Sequence, residues 1–183
     1  RQMDEATRMD LMSFVFQDAH LLNKSIADNV RMGYDVSDQE ILQALKDAQC
    51  EEMIDAFPEG VKTLIGAKGV YLSGGERQRI CLARAFVKKA PILLLDEATA
   101  YADSDNEQAM QKALKRLAKG KTTIMIAHRL STIVNVDRIY VLDQGRIIES
   151  GRHAELISQN GQYAAMWKSY QESIDWKVGD EHA

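Results

Sequence analysis

Cysteine is scarce in this chain. Its 183 residues hold two, Cys50 and Cys81, far apart and with no partner motif. No structural disulfide is expected, and a reducing compartment fits. Positive charge is not in excess: 23 Lys and Arg against 27 Asp and Glu leave a formal net charge of −4, which argues against a broad nucleic-acid-binding surface. No apolar run approaches the length that spans a bilayer. No stretch reads as a signal peptide, and there are no repeats or low-complexity segments. His20, His153 and His182 lack ligand spacing, so no structural metal is expected. Nor does a Gly-x-x-x-x-Gly-Lys-Ser/Thr loop, the usual cradle for a triphosphate, occur anywhere in the chain.

What is present suits one globular domain or most of one, with 45% hydrophobic residues and enough length to bury a core. The sequence opens at Arg1, in mid-pattern, and is expected to be a piece of a longer polypeptide. Residues 3–11 read as the end of a helix. Ser13–Phe16 reads as a short strand, from which Gln17 leaves into a loop. Ser25 can cap a short helix ending near Gly33. Ser37-Asp38-Gln39-Glu40 is a capping box for a helix through about Gln49, and Phe57-Pro58-Glu59-Gly60 is a turn. No convincing strand lies between Gln17 and Ser73, which predicts a helical subdomain.

After Gly75, Ile80, Ala83 and Val87 occupy one side of a helix and Leu82 and Phe86 another, so that helix should be central and buried. Ile92–Leu95 is a continuous apolar run, expected as a strand covered on both faces. Ser104-x-x-Glu107 is a second capping box. Ala109, Met110, Ala113, Leu114 and Leu117 follow as a helical stripe, closed by Gly120. Thr122–Ala127 and Ile139–Leu142 read as two more buried strands. Asp143-Gln144-Gly145-Arg146 turns into an antiparallel partner, Ile147–Glu149. Tyr163, Met166, Trp167 and Tyr170 share one face of a final helix, and the polar tail from Asp175 should fray. Strands alternating with helices argue for an α/β fold with a mainly parallel sheet.

Four elements carry chemistry. Asp96 and Glu97 end an apolar strand. There one acid can hold Mg²⁺ through water while the other reaches an attacking water, and burial beside apolar residues makes a carboxylate a better base. Ser73-Gly74-Gly75 lets a phosphate approach the backbone at a helix N-terminus, with the Ser73 hydroxyl beside it. His128 follows a buried run at the end of a strand, where parallel sheets bind ligands, and can orient a water and Glu97 toward a γ-phosphate. Gln17 also ends a strand, and its amide oxygen can coordinate Mg²⁺. Each has a plainer reading by itself: a loop-capping acid pair, a turn, a core histidine, a loop glutamine.

Taken in order, these elements resemble the nucleotide-binding domain of ABC transporters over essentially the whole chain. Gln17 matches the Q-loop, and Leu72-Ser73-Gly74-Gly75-Glu76 the signature, with Glu where Gln is commoner. Ile92–Glu97 matches Walker B and the catalytic glutamate, Asp103 the D-loop aspartate and His128 the switch histidine. The wording of Ala127–Thr132 and of Thr63-Leu64-Ile65-Gly66 is similar to the exporter-type branch. The resemblance implies a P-loop NTPase-like (RecA-like) α/β fold, with residues 1–17 and 73–161 in the core and 18–72 as a helical subdomain. Residues 162–183 form a C-terminal helix and tail. It implies ATP as substrate, Mg²⁺ as cofactor, a second nucleotide-binding domain paired head to tail, transmembrane domains as partners and a place on the cytoplasmic face of the cell membrane. Leu72–Glu76 then serve a nucleotide in trans, Glu97 and His128 catalyse, and Gln17 and Asp96 hold the metal.

The chain departs from the family where the Walker A strand, loop and helix are concerned: none is in it. Ala67 replaces a common Glu, and Ala100-Tyr101-Ala102 replaces Ser-Ala-Leu. The piece alone is therefore expected to be soluble, to bind and hydrolyse ATP poorly, and to mask uncovered apolar surface by self-association. The alternative is a soluble ABC-type ATPase of DNA repair or translation. The first kind carries long coiled coils that are absent here, and the second usually has two domains and a more basic chain.

Overall fold

The structure, a computed structural model, describes residues 3–16, 18–67, 69–96, 104–127 and 129–180, with 104–107 and 174–180 as backbone alone. By its contacts the chain divides into two compact units, 1–126 and 127–183.

In the first unit, α1 (Glu5–Asp10) has its own start: the Asp4 carboxylate accepts from the Thr7 amide at 2.9 Å, so it is a separate short helix and not the end of a longer one. β1 (Met12–Val15) begins one residue before the expected strand, because pairing with β2 starts at Met12 opposite Ile92. Ser25 caps α2 (Ile26–Arg31) as expected. Both bonds of the Ser37/Glu40 box form at α3 (Asp38–Asp47), at 3.1 and 3.3 Å. The sequence reading missed α4 (Glu51–Asp55), a single turn with no side-chain cap to announce it. No strand occurs between residues 18 and 72 among the described residues, only the bridges Ser25–Leu64 and Ile65–Val70.

The 15-residue α5 (Gly74–Lys88) runs through the middle of this unit and packs on α2, α3, β1 and α6 (Ser104–Ala118). Ile80, Leu82, Ala83 and Val87 are buried, as the pattern required. Helix α6 starts at Ser104 itself, one residue earlier than its box suggested, and buries Met110, Ala113, Leu114 and Leu117. Gly120 closes it with φ +75°.

β2 (Ile92–Asp96) and β3 (Thr122–Ile126) complete a parallel sheet in the order β1-β2-β3. Alternation splits its side chains between two faces. Ser13, Val15, Leu93, Leu95 and Met125 share the face that packs into the helical core. The row Phe14–Leu94–Ile124 and the pair Asp96–Ile126 lie on the other. This corrects two expectations. β2 is fully buried on one face only, with Ile92 and Leu94 half-buried. β3 is not a buried strand: Ile124 and Ile126 are 54% and 59% exposed. It pairs with one neighbour among the described residues, and no helix of the unit covers its outer face.

In the second unit, β4 (Ile139–Asp143) and β5 (Arg146–Gly151) form an antiparallel pair. Gln144 and Gly145, at φ 45° and 75°, make the expected tight turn. β4 alternates instead of being buried throughout. Ile139 and Val141 face a small core with Leu156 and Tyr163, while Tyr140 and Leu142 are exposed, because a two-stranded sheet has one covered face. α7 (His153–Ser158) is followed by α8 (Gln162–Asp180). Glu149 reaches from β5 to the first turn of α8 and accepts from the amides of Gln162 and Tyr163, the latter at 3.0 Å. Tyr163 is buried and its hydroxyl lies 2.8 Å from His153 Nδ1, with Trp167 edge-on to the same ring. Met166 is exposed and so leaves the expected apolar face. The helix continues to Asp180 with no break at Asp175, since neither proline nor a capping residue stops it there.

Candidate functional site: a capped helix and three strand ends

Ser73 is the N-cap of α5, with extended backbone (φ −62°, ψ 164°). Its Oγ accepts from the Glu76 amide at 3.2 Å, and its amide donates to Glu76 Oε2 at 2.7 Å. The expected signature is thus a complete capping box. Because Ser73 Oγ accepts from the helix, its own proton is left to donate outward, at the end where the helix dipole favours an anion. Leu72 is buried, and its carbonyl accepts from Arg77 at 3.0 Å.

The sheet places the other expected residues by register. Val15 lies beside Leu95, Leu95 beside Met125 and Asp96 beside Ile126. The three strands that end just before Gln17, Glu97 and His128 are therefore adjacent and parallel, and they finish along one edge. Gln17, Glu97, Asp103 and His128 themselves lie outside the described residues. Asp96 is described: it ends β2 half-buried, on the open face of the sheet. No hydrogen bond among the described residues joins it to Ser73–Glu76.

Three residues that sequence reasoning missed organise the surroundings. Asn29 is completely buried. Its amide accepts from Leu22 N at 2.7 Å and donates to the carbonyls of Leu22 and Ser25 at 2.9 and 3.0 Å. Arg84 donates to His20 O at 2.7 Å, and to Asn29 O and Oδ1, both at 2.8 Å. Gln78, also fully buried, donates to Phe16 O at 2.9 Å. The available signal was a polar residue on an apolar stripe: Asn29 sits with Ile26 and Val30, and Gln78 with Gly75 and Leu82.

Beside this network is a cavity of about 240 Å³, lined by His20, Leu21, Leu22, Tyr71, Leu72 and Arg77 among others. Tyr71 is 89% exposed at its edge, and Leu22 and Leu64 are exposed nearby in the chain. In the same core, the buried Cys50 thiol is pushed up to about 12 by desolvation, against the pull of the Arg79 guanidinium of α5.

Comparison with known proteins decides the family. The family described as "ABC transporter" matches residues 2–100, more than half of the chain. The chain belongs to the ABC transporter family. It is 47% identical to heavy metal tolerance factor 1 of Caenorhabditis elegans over 159 residues, covering 86% of this chain and 20% of that protein. It is 50% identical over 158 residues to the ATP-dependent lipid A-core flippase of Pseudoalteromonas translucida, covering 85% and 27%. The solved structure of a bacterial Atm1-family ABC exporter with ATP bound matches with a TM-score of 0.81 at 43% identity, covering 90% of this chain and 29% of that one. This ABC transporter chain is thus part of an ATPase domain with the P-loop NTPase-like fold, and it spans between a fifth and three tenths of these relatives' length. The flippase and exporter names favour the transporter reading over the soluble ATPase.

Proposed function

We propose that this chain supplies the signature half and the catalytic acid of an ATPase site in an exporter-type ABC transporter, which couples ATP hydrolysis to moving a substrate across a membrane. One observation carries the reading: three adjacent parallel strands end, in register, within two residues of Gln17, Glu97 and His128. Parallel sheets bind ligands outside that edge.

In this reading, Ser73 Oγ and the first amides of α5 bind the γ-phosphate of an ATP held by a second nucleotide-binding domain, paired head to tail. A half-site offered in trans needs no contact with Asp96 of the same chain. Glu97 takes a proton from the attacking water. His128 orients that water and the phosphate, and Asp103 communicates with the second domain. Asp96 and the Gln17 amide are hard oxygen donors of the kind Mg²⁺ takes, with its other positions filled by water and phosphate. The donor set fits, and the metal would neutralise phosphate charge. Residues 18–72 act as the helical subdomain, between the core segments 1–17 and 73–161 and ahead of the C-terminal 162–183. The cavity at His20–Leu22, with exposed Tyr71, receives the transmembrane domains on the cytoplasmic face of the membrane.

The chain as given holds no Gly-x-x-x-x-Gly-Lys-Ser/Thr, so alone it should bind Mg²⁺–ATP too weakly for calorimetry. The deciding experiment is on the full-length transporter. Glu97→Gln should lower kcat by about 100-fold or more, the usual scale for a general base, while nucleotide binding persists. Unchanged turnover would refute the assignment.

A further inference from the structure

Three helices of the first unit start at a serine whose Oγ accepts from the amide three residues on, and an acid stands at that third place. The pairs are Ser25 with Asp28 on α2, Ser37 with Glu40 on α3 and Ser73 with Glu76 on α5. Two of these ends are closed. Ser25 Oγ donates to Asp28 Oδ2 at 2.7 Å, and Asp28 lies 3.7 Å from Arg31. Ser37 Oγ donates to Glu40 Oε2 at 3.1 Å, and Glu40 pairs with Lys89 at 2.8 Å. The α5 end differs. Glu76 Oε2 accepts from the Ser73 amide at 2.7 Å, but among the described residues the Ser73 hydroxyl gives it no proton and no ion pair reaches it. The adjacent Arg77 turns to the Leu72 carbonyl. Arg79 and Glu76 act on the Cys50 thiol with opposite sign, and Arg79 is common to every variant below.

We propose that the Glu76 carboxylate is a built-in competitor for the γ-phosphate, which holds Ser73 in place and by its charge lowers the affinity of the signature for ATP. The inference rests on the reading of Leu72–Glu76 as the element that meets the phosphate; the ligand itself comes from the family's ATP chemistry. An arriving phosphate takes the Ser73 proton and the first-turn amides of Gly74 and Gly75, which have no acceptor within the helix. It must do so beside a carboxylate that cannot withdraw without stripping the Ser73 amide of its partner. Like charges a few ångströms apart near a surface lower affinity by about three- to tenfold once salt screens them. Glutamine at this place keeps the acceptor and the box but drops the charge.

The test is the rate of hydrolysis against Mg²⁺–ATP concentration in the full-length transporter. Glu76→Gln should lower KM by about three- to tenfold at low salt, with the gap closing to under about twofold near 1 M salt, and should move kcat less than KM. Glu76→Asp keeps the charge and should show no fall. An unchanged or higher KM in Glu76→Gln, or a fall that persists at high salt, overturns the proposal. Loss of the cap alone would raise KM in both variants, so a lower KM in Gln than in Asp is required whatever their melting temperatures. Ser73→Ala separates the proposal from the reading beneath it. If Ser73→Ala leaves KM unchanged, the phosphate reading fails and takes the proposal with it. If Ser73→Ala raises KM while Glu76→Gln does not lower it, the phosphate reading stands and the role of the Glu76 charge is overturned.

Discussion

Replacing Asn29 with leucine separates two ways of reading α2. The pattern Ile26, Asn29, Val30 puts Asn29 on the buried stripe, where an apolar residue of similar volume would ordinarily stabilise a core. The structure gives the opposite sign. The Asn29 side chain accepts from Leu22 N and from Arg84, and donates to the Leu22 and Ser25 carbonyls, all within 3.0 Å. Leucine makes none of these bonds. With about 0.5–1.5 kcal/mol for each of four, less some recovery by water at the exposed Leu22 end, the loss is about 3 kcal/mol. At roughly 2–4 °C per kcal/mol for a chain of this size, thermal unfolding followed by far-UV circular dichroism should fall by about 6–12 °C. Asn29→Ala should do the same or slightly worse. A melting temperature for Asn29→Leu within about 2 °C of wild type, or above it, would refute the claim that the amide organises this segment.

Three further outcomes are expected. Glu40 caps α3 and pairs with Lys89 at 2.8 Å, which lowers its carboxyl from 4.5 to about 2; the stabilisation is complete above about pH 4.5 and is lost as pH falls through about 2. Glu40→Gln should therefore be less stable than wild type at pH 6, with the gap closing by pH 2, and a gap that persists there would count against the pairing. Cys50, buried with its thiol pushed up to about 12, should resist maleimide at pH 8, so the Cys81→Ser chain should stay unlabelled until denatured; prompt labelling would mean that the site opens. Ile126→Lys should leave melting within about 2 °C, as exposed substitutions do, while reducing self-association in light scattering, because β3 presents an uncharged, apolar edge; unchanged association would locate the contact elsewhere.

The sequence revealed what local chemistry controls. Ser25, Ser37 with Glu40 and the Gln144-Gly145 turn are decided within four residues, and each forms as read, whereas the box of Ser73 with Glu76 was equally local but not read. The burial of β2, β3 and β4 was overstated because an apolar run shows that a strand can be covered, not that a neighbour covers it. Among the described residues Thr122–Ile126 has one paired neighbour, and Ile124 and Ile126 stay exposed. That strands precede Gln17, Glu97 and His128 was legible in the apolar runs before them; that the three strands are neighbours in the order β1-β2-β3 was not. The ties from Gln78 and Arg84 were not, since they join residues 55 to 64 positions apart, and no short-range pattern encodes such a pair.

The grip of Glu149 on the first turn of α8 has a mechanical consequence. A helix of 19 residues is about 28 Å long at 1.5 Å per residue. The Glu149 carboxylate, the buried Tyr163 and the contact of Trp167 with His153 all pin its N-terminal part. A tilt of roughly 5° about that pin sweeps the distal end through about 2.5 Å, by the same helical rise. α8 is thus a pointer held from a side chain on β5, and any tilt at Glu149 is magnified toward its far end.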